Sequence, residues 1–76
     1  MKERVHKIFS QIMNVPMEQL NEETSPDNIK AWDSLMQMNL VLALEEEFGV
    51  VFTEDQIVEM LNLQLIVEIL YEVTRK

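Results

Sequence analysis

Cysteine is absent from this 76-residue chain. The chain therefore has no disulfide and no thiolate ligand for a metal ion, and we expect it to work in a reducing cytoplasmic setting. Long apolar runs are also missing, so we expect no membrane span. These absences already exclude disulfide-stapled scaffolds, zinc-thiolate domains and bilayer-spanning proteins.

Glycine and proline are scarce, with one glycine and two prolines in the whole chain. Flexible linkers and many disordered segments are rich in these residues, whereas here 47% of the residues are hydrophobic. A chain of this length is enough for one small core. We therefore predict a single domain over residues 1–76, and we expect it to act as a monomer.

Positive charge is scarce as well, because six lysines and arginines face 14 aspartates and glutamates, giving a net charge of −8. Such a surface repels the phosphates of nucleic acid and favours protein partners with basic patches. The carboxylates do not follow the spacing of a calcium-binding loop, so we expect no metal site. His6 lies in a predicted helix without a serine or aspartate arrangement that could make it catalytic. We therefore expect no catalytic residues and no enzyme activity.

Apolar residues near the start of the chain recur at the spacing of an amphipathic helix. These residues are Val5, Ile8, Phe9, Ile12 and Met13. Pro16 should end the helix, because the residue before a proline avoids helical geometry. The turn-forming residues 24–28 then predict a long first loop that reaches about residue 32, with Leu20 and Ile29 as its apolar anchors.

A second helix is predicted from Ser34 to Phe48, and Gly49 is the residue expected just past its end. Residues 50–52 are too short a segment to form a useful strand, so we interpret them as an extended connector. Thr53 and Gln56 form a capping box, which predicts a short third helix ending near Leu61.

Asn62 is placed to cap a fourth helix. The apolar residues of this last helix again follow one face: Leu63, Ile66, Val67, Leu70 and Val73. Four helices and no convincing strand predict an all-α protein, a small four-helix bundle with three major helices and one short one.

Helix two carries two sets of apolar residues, and we expect the first set to face the core: Met38, Leu40, Val41, Leu44 and Phe48. The second set consists of Leu35, Met36, Leu42 and Ala43. We expect this second set to stay exposed and bind partners, since apolar patches rimmed by charge commonly mark interaction surfaces. The alternative is that both sets are buried. Three of the methionines are also expected in the core: Met13, Met38 and Met60.

The tripeptide Asp33-Ser34-Leu35 lies where the loop gives way to helix two. A helix start offers free N–H groups and the positive end of the helix dipole, so a phosphodiester on Ser34 would suit this position. The alternative is that Asp33 and Ser34 only cap the helix, since both residue types are preferred there.

Asp33-Ser34-Leu35, followed at fixed spacing by residues 40–49 with the sequence LVLALEEEFG, resembles the acyl carrier proteins. The long first loop, the short third helix and the acidic charge fit that family across essentially the whole chain. The resemblance implies that Ser34 is the attachment point of 4′-phosphopantetheine, which a separate phosphopantetheinyl transferase would add from coenzyme A. The arm's thiol would carry an acyl group as a thioester, which suits a chain without cysteine.

The resemblance also favours an acidic and apolar surface that partner enzymes recognise. The partners would be the transferase and acyl-loading and acyl-processing enzymes, each with a basic patch. The residues expected to form it are Asp33, Leu35, Met36, Leu42, Glu45, Glu46 and Glu47. The carried group should be partly sheltered between helices two, three and four. The residues expected to line that shelter are Leu40, Leu44, Phe48, Phe52 and Met60.

The chain departs from the usual family pattern at Met36 and Asn39, where acyl carrier proteins commonly have acids. This departure favours a carrier that serves a specialised pathway over one recognised by general fatty-acid or lipid biosynthesis enzymes. A peptidyl or aminoacyl carrier is the nearest alternative, and an unmodified acidic interaction domain is an alternative from another class. We expect Trp32 to pack the long loop onto the bundle, with a place beside the arm as the other option.

Overall fold

A computed structural model describes residues 1–75 of the chain as four α-helices joined by a long first loop and two short connections. The helices are α1 (Lys2–Met13), α2 (Ser34–Phe48), α3 (Glu54–Val58) and α4 (Leu63–Thr74). A single 3₁₀ turn, Met17–Gln19, lies in the long loop. No strand occurs within residues 1–75, which confirms the predicted all-α fold with its short third helix.

Helix α1 packs its apolar face against α2 and α4 and buries Val5, Phe9 and Met13. The sequence predicts that Pro16 ends this helix, but the helix already ends at Met13. Asn14 adopts the left-handed conformation (φ 56°) and its N–H donates to the carbonyl of Ser10. A left-handed residue after the last turn is a common way for a helix to stop. Pro16 instead precedes the 3₁₀ turn.

Helix α2 has the bounds that the sequence predicts. The Asp33 carboxylate accepts the Met36 N–H at 2.9 Å and so caps the first turn. Gly49 follows the last turn at φ 65°, a conformation that a residue with a Cβ adopts only at a cost.

The long first loop is tied to the bundle by buried side chains and by backbone hydrogen bonds. Trp32 is buried and meets the ring of Phe9 edge-to-face, with the ring centroids 4.9 Å apart. The loop also supplies carbonyls to the start of α4, since the Leu63 N–H donates to Thr24 at 2.9 Å. Ile29 is buried and Leu20 half-buried, so both predicted anchors contact the core.

Helix α3 begins with the predicted capping box, in which Thr53 and Gln56 each accept the other's backbone N–H. The prediction that it continues to Leu61 is wrong, because the helix ends at Val58. Asn62 then accepts the Leu65 N–H at 2.8 Å and caps α4 as predicted. Residues 50–52 form an extended connector.

One hydrophobic core joins all three long helices and the loop. Its side chains that are essentially inaccessible to solvent are Val5, Phe9, Leu40, Val41, Leu44, Leu63, Ile66 and Leu70. Met13 and Met60 are buried as predicted, but Met38 is 48% exposed, so the prediction that it belongs to the core is wrong. At about 100° per residue, Met38 lies about 60° around α2 from the buried Val41 but on the side away from Leu40, at the edge of the buried face.

Candidate functional site

Ser34 is the first residue of α2, and its side chain is exposed. Asp33, directly before it, accepts two backbone N–H groups of the first helical turn. Its carboxylate accepts the Met36 N–H, and its carbonyl accepts the Gln37 N–H at 2.8 Å. The Ser34 hydroxyl therefore stands at the solvent-facing positive end of a 15-residue helix. A negatively charged phosphodiester is electrostatically favoured at that place.

A groove of about 400 Å³ begins at Ser34 and runs between α2, α3 and the end of the long loop. It is lined by Pro26, Trp32, Asp33, Ser34, Gln37, Ile57, Val58, Met60 and Leu61. Most of these side chains are apolar, and Val58 and Leu61 are 72% and 63% exposed. The groove thus combines an exposed hydroxyl at its rim with apolar walls, an arrangement that suits an apolar ligand.

Gln37 lies one helical turn after Ser34 and connects three parts of the molecule across this groove. Its side-chain oxygen accepts the indole N–H of Trp32. Its side-chain nitrogen donates to the carbonyl of Ile57 on α3 at 3.4 Å. We call these two hydrogen bonds the Gln37 bridge.

The second apolar set of α2 divides between two surfaces. Leu35 and Leu42 point outward and are 70% and 57% exposed. Met36 is half-buried against the core, and Ala43 lies beside Ile8 and Ile12 of α1 in a shallow pocket. Leu35 and Leu42 are therefore the apolar residues of this set that a partner reaches most freely.

The three consecutive glutamates at the end of α2 have different surroundings. Glu45 is half-buried and its carboxylate accepts the Phe52 N–H at 2.9 Å, which holds the connector to α3. Glu47 pairs with Arg4, whose guanidinium also lies 4.7 Å from the ring centroid of Phe48. Glu46 is exposed. No lysine or arginine occurs between residues 31 and 74, so α2, α3 and α4 carry acidic side chains and no basic ones.

Of the five side chains expected to shelter a carried group, Met60 lines the groove beside Ser34. Leu40, Leu44 and Phe52 pack in the core behind the groove, and Phe48 packs beneath Arg4. In this structure, then, the groove at Ser34 does not extend to those four residues.

Several groove residues were not anticipated from the sequence as neighbours of Ser34: Pro26, Gln37, Ile57, Val58 and Leu61. The closeness of α3 to the start of α2 is a tertiary contact that helical periodicity does not reveal. In the sequence, the residue that could have pointed to this groove is Trp32, an aromatic residue directly before the Asp-Ser-Leu tripeptide. It does pack the loop as predicted, and it also forms part of the groove wall.

His6 lies away from the groove, in a shallow pocket shared with Lys2 and Glu22. Its Nε2 atom is buried and has no hydrogen-bond partner within residues 1–75. Burial, and secondarily the charge of Lys2, lowers the pKa of His6, while Glu22 acts in the opposite direction. His6 is therefore a partly packed side chain.

Neither a metal site nor a membrane-spanning helix is found within residues 1–75. These residues include no group of histidines and carboxylates arranged to hold a metal ion. Nor does any helix in this part of the chain have the length and apolar character needed to cross a membrane.

This chain is similar to known proteins both in sequence and in fold. The family model described as the phosphopantetheine attachment site matches residues 3–70. A solution NMR structure of the holo acyl carrier protein from Geobacter metallireducens superposes with a TM-score of 0.85 at 28% sequence identity. That alignment covers 95% of this chain and 83% of the Geobacter chain.

Proposed function

Because this chain belongs to the phosphopantetheine attachment-site family, we propose that Ser34 is the residue that bears its 4′-phosphopantetheine. The family match and the acyl carrier protein fold confirm the resemblance on which the sequence prediction rests. The chain is a carrier and not an enzyme, and it interacts with a phosphopantetheinyl transferase and with acyl enzymes. The covalently attached cofactor supplies a thiol, on which the carried group is held as a thioester.

The observation that carries the assignment is the exposed Ser34 side chain at the start of α2, on the rim of an apolar groove. The two other serines have local structural roles. The Ser10 hydroxyl donates to the Val15 carbonyl at the end of α1, and the Ser25 hydroxyl accepts the Asp27 N–H at 3.2 Å in a turn. Ser34 is thus the serine that combines exposure, the positive end of a long helix and an adjoining groove.

We propose that the carried group is acyl and that the carrier serves a specialised branch of lipid or related biosynthesis. The apolar walls of the groove, including Val58 and Leu61, support an acyl group over a charged aminoacyl group. Met36 and Asn39, in place of the family's usual acids, support a dedicated set of partner enzymes. We also propose that the protein is cytoplasmic, because the transferase that modifies it uses coenzyme A.

The recognition surface in this proposal is the outer side of α2 below Ser34. Leu35 and Leu42 supply exposed apolar contacts, and Asp33 and Glu46 supply exposed negative charge. Three further residues, held partly by internal contacts, add to its edge: Met36, Glu45 and Glu47. A partner with a basic rim around an apolar centre would complement this surface.

We further propose that residues 1–76 act as one carrier domain, which the shared core supports, and that this domain works as a monomer. Leu40, Leu44, Phe48 and Phe52 belong to that core or pack against it. They would line an inner shelter that a carried group enters only if α2 and α3 move apart.

The attachment residue is tested by the intact mass of the apo protein after incubation with coenzyme A and a broad-specificity transferase. We expect the wild type to gain the mass of one arm and Ser34→Ala to gain none. Ser10→Ala and Ser25→Ala are matched controls that should be modified like the wild type. Modification of Ser34→Ala, or a wild type that no transferase modifies, would overturn the assignment.

A further inference from the structure

The groove at Ser34 and the interior of the bundle are separated by the seam between α2 and α3. The Gln37 bridge crosses that seam, because Gln37 belongs to α2 and the carbonyl it reaches belongs to Ile57 of α3. The same amide holds Trp32, whose ring forms a wall of the groove. One side chain thus joins the loop, α2 and α3 in the wall of the groove.

Near this groove, helix α3 makes few other hydrogen bonds to the rest of the bundle. It is five residues long, and its N-terminal end is held by its own capping box between Thr53 and Gln56. At its C-terminal end the Ile57 carbonyl also accepts the Met60 N–H at 3.1 Å. The Gln37 amide is therefore a direct polar tie from α2 to this short helix.

Behind the seam lie fully buried core side chains, including Leu40, Leu44 and Leu63. A long alkyl chain that ran from Ser34 between α2 and α3 would have to pass Gln37 to reach them. Its passage would separate the amide from the Trp32 indole and the Ile57 carbonyl, and each group would lose a partner in a half-buried place. A short alkyl chain meets no such obstacle, because the groove is open to it.

We propose that Gln37 determines cargo length: the Gln37 bridge holds short acyl groups in the outer groove and keeps long ones out of the bundle interior. The proposal rests on attachment at Ser34. It makes Gln37 a specificity-determining residue, and it makes short acyl groups the preferred cargo class.

The test uses the full chain loaded at Ser34 with a butanoyl or an octanoyl arm from the corresponding acyl-coenzyme A, with loading confirmed by intact mass. NMR spectra then report the Trp32 indole N–H, the Met60 methyl and the Leu44 and Leu63 methyls. In the wild type, both arms should shift the Trp32 and Met60 signals. The Leu44 and Leu63 signals should be the same with either arm.

In Gln37→Met, which keeps the length of the side chain but lacks both hydrogen bonds, the octanoyl arm should shift the Leu44 and Leu63 methyls. Gln64→Ala, at an exposed position of α4, is the control and should behave like the wild type. The Gln37→Met side chain is apolar and similar in size, so the variant should fold, and its thermal unfolding provides the check.

Two results separate this inference from the attachment proposal. A chain that cannot be loaded at Ser34 would overturn both. A chain that loads normally, but whose Leu44 and Leu63 methyls respond to octanoyl in the wild type, would overturn the role of Gln37 alone. Identical spectra for wild type and Gln37→Met with the octanoyl arm would overturn it too.

Discussion

Asp33 has two separable properties at the start of α2, a capping oxygen and a negative charge. The oxygen accepts the Met36 N–H, and the charge is exposed beside Ser34. We predict that Asp33→Ala lowers the free energy of unfolding by about 1 kcal/mol, because it removes the cap. Asp33→Asn keeps a capping oxygen and should unfold at nearly the denaturant concentration of the wild type.

The same two variants distinguish capping from recognition in the transferase assay. If the charge of Asp33 is recognised, Asp33→Asn should be modified more slowly than the wild type despite its unchanged stability. Wild-type rates for Asp33→Asn would show that the residue only caps the helix.

His6 gives a prediction for the dependence of stability on pH. Burial lowers the pKa of His6 in the folded chain below its ordinary value of 6.5. The unfolded chain therefore binds the proton more readily, and the folded state loses stability as the pH falls from 6.5 to the lowered pKa. His6→Gln, which does not titrate, should lack this contribution.

Urea unfolding of both proteins at about pH 7.5 and about pH 5.5 provides the measurement. The wild type should lose more stability than His6→Gln between these conditions. An equal loss in the two proteins would mean that His6 titrates alike in the folded and unfolded chains.

At the scale of elements, α2 presents one buried and one exposed face. Leu44 is fully buried, so Leu44→Ala should lower the free energy of unfolding by about 2–5 kcal/mol. Leu42 is 57% exposed, so Leu42→Ala should change it by about 0.5 kcal/mol or less. Leu42→Ala should instead slow transfer of the arm or of the carried group.

Denaturant unfolding and transfer assays on these two variants test the division of faces. Should Leu42→Ala destabilise the protein as much as Leu44→Ala, both faces are core and the proposed recognition surface is absent. Met36→Asp extends the same test, because restoring the family's usual acid should improve recognition by general fatty-acid enzymes.

The helix boundaries that sequence predicts well are those set by local chemistry. Asp33 and Gly49 bound α2, and Asn62 caps α4, because side-chain caps and left-handed glycine act over a few residues. The predicted end of α3 near Leu61 is wrong, since no comparable stop signal marks Val58. The exposure of Met38 also escaped prediction because periodicity alone does not tell how wide a face the neighbouring helices cover.

The candidate site was predictable only in part, for a related reason. Ser34 and Asp33 form a contiguous motif, so the sequence places them together. The groove depends on where α3 meets α2, which brings Gln37 beside Ile57 across 20 positions of sequence. Gln37 is a polar residue beside an apolar stripe, and only the tertiary contact gives it a role.

For the whole molecule, the dominant property is its net charge of −8. Such a charge should speed association with a basic transferase and lose its effect as salt is added. We predict that Glu46→Lys slows modification of Ser34 by up to about fivefold at low salt, since exposed charge pairs contribute about 0.2–1 kcal/mol. The difference from the wild type should shrink at high salt.

Glu18→Lys is the matched control, because it makes the same charge change at an exposed residue of the 3₁₀ turn, outside α2. If both variants slow modification equally, net charge alone steers the encounter. A wild-type rate for Glu46→Lys across the salt series would remove Glu46 from the recognition surface. In Glu45→Lys, the lost bond to the Phe52 N–H should also reduce stability.

Peptide mapping gives a direct test of whether the arm is attached to Ser34. The protein should be coexpressed with a phosphopantetheinyl transferase, digested, and fragmented in a mass spectrometer. We predict that the arm is found on the peptide containing Asp33-Ser34-Leu35 and that the fragment series places it on Ser34. An arm located on Ser10, on Ser25 or on any other residue would contradict attachment at Ser34.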